Sequence, residues 1–129
     1  MESHAGAAID DLPLTARQVS GRAVLVHTGW DRHWRSDAYF VGHPHLTERA
    51  AQWLVKAGAV LVGIDSFNID SVATGERPVH SVLLGSEIPI VEHLRGLDVL
   101  PDQGSRFFAV PVKVRAFGTF PVRAFALAD

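Results

Sequence analysis

Leu46-Thr47-Glu48-Arg49-Ala50-Ala51-Gln52-Trp53-Leu54-Val55-Lys56-Ala57-Gly58-Ala59-Val60-Leu61-Val62-Gly63-Ile64 changes its hydrophobic period once, at Gly58. Before that glycine, Leu46, Ala50, Trp53, Leu54 and Ala57 fall on one stripe at helical spacing, which predicts a helix over residues 46–57. Thr47 serves as N-cap, Glu48 stands in the first turn, and Gly58 supplies the stop. After it, residues 59–64 form the short apolar run of a buried strand. Upstream, Ala23-Val24-Leu25-Val26-His27, bounded by Gly21 and Thr28-Gly29, reads as a strand buried on both faces. Strand, helix and strand in that order make a βαβ unit, a parallel pair with a right-handed crossover.

Working outward, residues 1–20 read as a lead-in, irregular or a short helix, and residues 21–129 as one domain. Residues 30–45 form a polar, aromatic loop, and residues 65–79 a turn-rich one. The second follows a strand's C-terminal end, where open α/β sheets hold ligands. A short helix is predicted over 80–86, a strand over 88–92, and a helical turn over 94–100 closed by Pro101. Two β runs, 107–115 and 120–127, join through Gly118-Thr119 as a hairpin. The class is α/β: a mixed β-sheet with a βαβ unit and a C-terminal β-hairpin.

Composition narrows the functional classes. Hydrophobic residues make up 47% of the 129 and charged residues 20%, the balance of a globular domain. A net charge of -2 gives no reason to expect nucleic acid or an anionic membrane as partner. The chain has no Cys, which excludes disulfides, thiolate ligands and cysteine nucleophiles. No apolar run approaches the ~20 residues of a membrane span. The acidic N-terminus does not read as a secretory signal, so the cytoplasm is the default location. Seven His make metal or acid/base chemistry worth seeking.

His80 and Glu92 are the pair singled out. His80 starts the short helix, and Glu92 ends an apolar strand, where a carboxylate is costly to bury without compensation. Imidazole with carboxylate suits zinc or manganese. Taken alone, a surface histidine and a strand-end glutamate is the commoner arrangement. Asp65-Ser66-Phe67-Asn68-Ile69-Asp70 offers two carboxylates for a cation or substrate, or for capping turns and helices. His43 and His45 read as solvated, and His27 as a hydrogen-bonded core histidine. Trp30, Trp34, Tyr39 and Phe40 either line an aromatic pocket or cover the sheet. No phosphate loop, nucleophile elbow or H-E-x-x-H pattern is present.

Several segments in order resemble the metal-dependent cyclase family that includes bacterial kynurenine formamidases (arylformamidases). They are residues 24–30, Tyr39-Phe40 with His43-Pro44, residues 50–54, residues 61–65, Pro78-Val79-His80 with Leu83-Leu84, residues 90–94, residues 108–114 and residues 121–124. The resemblance runs from about Gly21 to the C-terminus. It implies a swivelling α/β fold and makes His80 and Glu92, twelve residues apart, the late ligands of a divalent zinc or manganese ion. It also implies hydrolysis of a small-molecule amide, with N-formyl-L-kynurenine of tryptophan catabolism the best-known substrate, and a homodimer.

The family's early motif, H-x-G-T-H-x-D-x-P-x-H, supplies three more ligands and the acid/base histidine. By the resemblance it belongs well upstream of Thr28-Gly29-Trp30, so the N-terminal part is expected to be missing and the metal site incomplete. His4-Ala5-Gly6-Ala7-Ala8-Ile9-Asp10 echoes it faintly, with Ala8 where the second His belongs. Catalytic and substrate-binding residues are therefore left unassigned. Two readings stay open: a hydrolase whose remaining ligands come from elsewhere, or a non-catalytic binding or oligomerisation module that keeps the fold.

Overall fold

A computed structural model describes residues 8–129, which divide into two compact units, one ending at Leu97 and one spanning Asp98–Asp129. In the first unit, β2 (Ala23–Val26), β4 (Leu61–Ile64) and β5 (Ile90–Val91) form a parallel sheet in the order β2-β4-β5. Ala23 pairs with Leu61 and Val26 with Ile64 on one side of β4, and Gly63 pairs with Val91 on the other. Helix α2 (Glu48–Ala57) connects β2 to β4, and α3 (Pro78–Gly85) connects β4 to β5, so the βαβ unit occurs twice.

The sequence explains these elements locally. The Thr47 hydroxyl caps α2 by accepting from the Ala50 amide, and Lys56 lies in the last turn, where a cation complements the helix dipole. Gly58, at φ +87°, ends it in the left-handed conformation, donating to the carbonyls of Leu54 and Val55. Central β4 fully buries Val62 and Ile64 on one face, while on the other Gly63 is buried and Leu61 partly so. The expected burial on both faces fails for β2, an edge strand that buries Val24 and Val26 and leaves Ala23 exposed. At Gly63 the packing is tight. A Cβ there would stand 2.7 Å from a Leu94 methyl and 2.8 Å from one of Leu25.

Ala50, Ala51, Leu54 and Ala57 on α2, with Val79 and Leu83 on α3, close over Val24, Val26, Val62, Ile64 and Ile69 in one core. Each larger aliphatic side chain contributes about 1.5–3 kcal/mol on leaving water. The predicted helix start at Leu46 moves to Glu48. Leu46 donates its amide to Ile69 and Thr47 donates to Ile9, which holds His45–Leu46 as strand β3 against β1 (Ala8–Ile9). The lead-in also holds the short helix α1 (Ala16–Val19), closed by a capping box between Thr15 and Gln18.

In the second unit, β6 (Arg106–Pro111) and β7 (Val122–Leu127) form the antiparallel hairpin. Phe108 faces Phe125 across it, their rings stacked with centroids 4.8 Å apart.

Candidate metal centre

The site is built at the C-terminal ends of β4 and β5. Asp65, fully buried, accepts from the Thr28 amide at 2.8 Å, from the Thr28 hydroxyl, and from the Gly29 amide at 2.9 Å. It thereby fastens the chain leaving β2 to the chain leaving β4. Ser66 donates its hydroxyl to the Pro44 carbonyl at 2.9 Å, and its own carbonyl accepts from the His93 amide. These contacts fix the path of residues 65–70.

Asp70 ends that path, with only 2% of its surface exposed. Its Oδ1 accepts from the Val79 amide at 2.9 Å, and its Oδ2 from the His80 amide at 3.0 Å. Two of the free amides at the start of α3 are thus satisfied by a side chain from another loop. Pro78 takes the first helical position, where no amide is needed. The same Oδ2 lies 2.7 Å from Nδ1 of His80. On the far side of the ring, Nε2 is 3.3 Å from Oε1 of Glu92 and 2.8 Å from Nη2 of Arg77. Glu92 is itself placed by the Ile69 amide, which donates to it at 2.9 Å.

Both capping and chemistry therefore apply to the Asp65–Asp70 stretch: Asp65 caps, while Asp70 caps and touches the imidazole. The His80 pKa lies above its ordinary value, chiefly through the hydrogen bond to Glu92, opposed by burial and helped by Asp70. Burial pushes the Glu92 carboxyl up, but the hydrogen bonds from His80 and from the Ile69 amide outweigh it, and the net shift is downward. The two neighbours of Nε2 make opposite demands. A guanidinium can only donate to it, whereas a carboxylate needs it protonated. With the ring protonated, which its raised pKa favours, Nε2 donates to the carboxylate; with the ring neutral and its proton on Nδ1, Nε2 accepts from the guanidinium.

Next to Glu92, His93 adopts φ +60° and its Nδ1 lies 2.9 Å from the Tyr39 hydroxyl. Burial, with Asp65 nearby, pushes that phenol up to about 12. Tyr39 touches Trp34, Phe40 and Phe67 at ring-centroid distances of 5.2, 5.6 and 6.1 Å. Trp30 is buried and donates its indole N–H to the Tyr39 carbonyl. The four aromatics of the 30–45 loop thus divide. Trp30 and Tyr39 are scaffold; Trp34 and Phe40 stay exposed and, with half-buried Phe67 and exposed His93, the residue after Glu92, form a cluster of tilted and edge-on rings.

Other histidines behave differently from expectation. His27 lies beyond the end of β2 with a half-exposed side chain 4.0 Å from Asp65, not in the core. His43 is buried rather than solvated, its Nδ1 3.1 Å from the Pro44 carbonyl, and burial lowers its pKa. His45 is half-buried. Of the faint echo of the early motif at His4 to Asp10, residues 4–7 lie outside the described residues, and Ala8–Ile9 form β1.

An imidazole nitrogen and a carboxylate oxygen side by side fit a divalent ion of the zinc or manganese type as two of its donors. Nδ1 is occupied by Asp70, so Nε2 is the nitrogen that would ligate, once the Arg77 guanidinium 2.8 Å away gives up its place. Two donors are fewer than the three protein ligands typical of catalytic zinc. Among the described residues, no group of three or more His, Asp or Glu is arranged to hold a metal. Nor is any described helix long and apolar enough to cross a membrane.

A family model described as "Putative cyclase" matches residues 4–71. The kynurenine formamidase of Bordetella avium (strain 197N) is 29% identical over 126 residues, 96% of this chain and 54% of that protein. Isatin hydrolase A from Ralstonia solanacearum superposes with a TM-score of 0.79 at 25% identity, over 88% of this chain and 48% of its own. A structure described as a potential metal-dependent hydrolase with cyclase activity superposes at 0.69 and 28% identity, over 81% and 50%. The chain spans about half the length of these relatives.

Proposed function

The chain belongs to the cyclase family, and from that premise we propose that it carries part of the metal site of an amide hydrolase. In this reading His80 and Glu92 are two of the ligands of a zinc or manganese ion. The remaining donors lie outside the described residues or on a second copy of the chain. The observation that carries the proposal is the 3.3 Å approach of His80 Nε2 to Glu92 Oε1, with the opposite ring nitrogen already held by a carboxylate. Buried groups of opposite charge also occur in purely structural pairs. Here Glu92 follows strand β5 and His80 stands in the first turn of α3, with exposed aromatic rings nearby, in a chain similar to a potential metal-dependent hydrolase.

The chemistry a divalent ion supplies when bound is Lewis acidity toward water and toward an amide carbonyl. The chain's own share is to present Nε2 and the Glu92 carboxylate at fixed separation and to offer exposed aromatic side chains to the substrate. Trp34, Phe40 and Phe67 suit an aryl amide or a cyclic aryl amide, consistent with relatives named for kynurenine and isatin. N-formyl-L-kynurenine is the first substrate to assay. We take residues 21–129 as the C-terminal portion of the cyclase domain, acting in the cytoplasm as a homodimer. The donor count supports a second reading, a binding or oligomerisation module that keeps the fold without turnover.

Metal analysis by mass spectrometry, with a formamidase assay on the purified chain, separates the two. Stoichiometric zinc or manganese and measurable turnover support the hydrolase. A folded, metal-free, inactive protein after incubation with either ion supports the module. His80→Ala and Glu92→Ala are each expected to reduce metal content strongly while circular dichroism is retained; unchanged content in both refutes the ligand assignment.

A further inference from the structure

The donor nitrogen of His80 is selected from behind. We propose that Asp70 is a positioning residue that keeps the proton on Nδ1 whenever the His80 ring is neutral, so that Nε2 then carries the lone pair and accepts from the Arg77 guanidinium 2.8 Å away. This deepens the metal-site reading and rests on it for its functional meaning, although the tautomer itself does not depend on any metal.

Three observations carry it. Asp70 is 2% exposed, so its carboxylate needs nearby donors to compensate burial. It finds three: the Val79 amide, the His80 amide and His80 Nδ1, at 2.9, 3.0 and 2.7 Å. An ionised carboxylate is an acceptor only, and of the two carboxylates at the ring Asp70 is the nearer, 2.7 Å from Nδ1 against 3.3 Å between Glu92 and Nε2, so Nδ1 keeps the proton of the neutral ring. Finally, the carboxylate grips the backbone and the ring of the same residue, which fixes where the ring starts and how it is turned. Carboxylates behind ligating imidazoles set ring orientation and raise donor strength in just this way.

A simple helix cap is the competing explanation, and Asp70→Asn distinguishes the two. Asparagine caps helices about as well as aspartate. In Asp70→Asn the amide oxygen keeps the Val79 amide, while the NH2 stands where Oδ2 accepted, giving up the bond from the His80 amide and favouring the tautomer protonated on Nε2. The readout is the imidazole nitrogen spectrum of the full chain, uniformly labelled with 15N and metal-free, at alkaline pH where the ring is neutral. The wild type is expected to be mainly Nδ1–H, and Asp70→Asn to be mainly Nε2–H with folded dispersion retained. Asp70→Ser, which keeps one capping oxygen without the charge, is expected to lose the Nδ1–H preference as well. A wild type that is mainly Nε2–H overturns the proposal on its own, even if both variants fail to fold. So does an unchanged tautomer in either folded variant.

Zinc titration of the same samples should show a fall of about 10–100-fold in affinity for Asp70→Asn. If the wild type binds no zinc but the tautomers reverse, the metal reading fails and the positioning role stands. If zinc binds equally to both and the tautomer is unchanged, the positioning role fails and the metal reading stands.

Discussion

The two nitrogens of His80 face unlike surroundings, and this governs how the site responds to pH. Its pKa is raised, so the stability it lends is complete below about pH 6.5 and is lost as pH rises through the folded value. The Glu92 pKa is lowered, so its contribution is complete above about pH 4.5 and is lost as pH falls through the folded value. Both act together between those limits. Thermal melts of wild type and His80→Gln should differ most between about pH 4.5 and 6.5 and less on either side, where the bond to Asp70 remains the difference. A constant difference from pH 4 to 9 would show that the contact is not charge-dependent. Asp65 is the other residue on which much depends. Removing its carboxylate leaves the Thr28 and Gly29 amides without their acceptor. Asp65→Ala is expected to cost about 3 kcal/mol in urea unfolding, while an exposed control such as Asp102→Ala stays within about 0.5 kcal/mol.

At the scale of elements, Gly63 is a point of the parallel sheet with no free room for a side chain. Gly63→Ala pushes a methyl toward Leu25 and Leu94, whose side-chain ends can swing aside only in part, so a loss of about 1 kcal/mol is expected from chemical denaturation. A neutral result would mean that both leucines repack freely. The elements around this strand were the most legible from sequence. The switch from helical stripe to apolar run at Gly58 located α2 and β4, because their caps and periodicity are encoded within a few residues. The β1–β3 pairing was not legible, since two-residue strands carry no period. Nor was the cap of α3. It comes from Asp70, eight residues before the helix begins, through a loop that no local pattern closes. His43 was misread for a related reason. A His-x-His in a loop looks wet until Phe67, from beyond another strand, is seen packing on it at a centroid distance of 5.5 Å.

For the whole molecule, the two units differ in how much surface they bury. The first has a closed core. The second is a two-stranded hairpin on which Phe108, Val110, Phe125 and Leu127 are between 37% and 51% exposed. Isolated hairpins are marginal in water, and exposed apolar strands invite pairing. Light scattering at micromolar concentration is therefore expected to detect a dimer or larger species, and Phe108→Lys with Phe125→Lys to shift it toward monomer. A monodisperse wild-type monomer contradicts this. Amide exchange should be slower in Leu61–Ile64 than in Val122–Leu127, because opening the hairpin exposes little buried surface.

Asp70 has one more effect, on the chain between itself and α3. Val72 to Glu76 lie on the surface, and the single carboxylate at the root of that excursion holds both of its feet together. Its length is thus uncoupled from the position of His80. Doubling a flexible loop costs only about 0.6 kcal/mol in closure entropy. Additional residues there can reshape the rim of the site, or carry a grafted recognition segment, while leaving the imidazole where it stands.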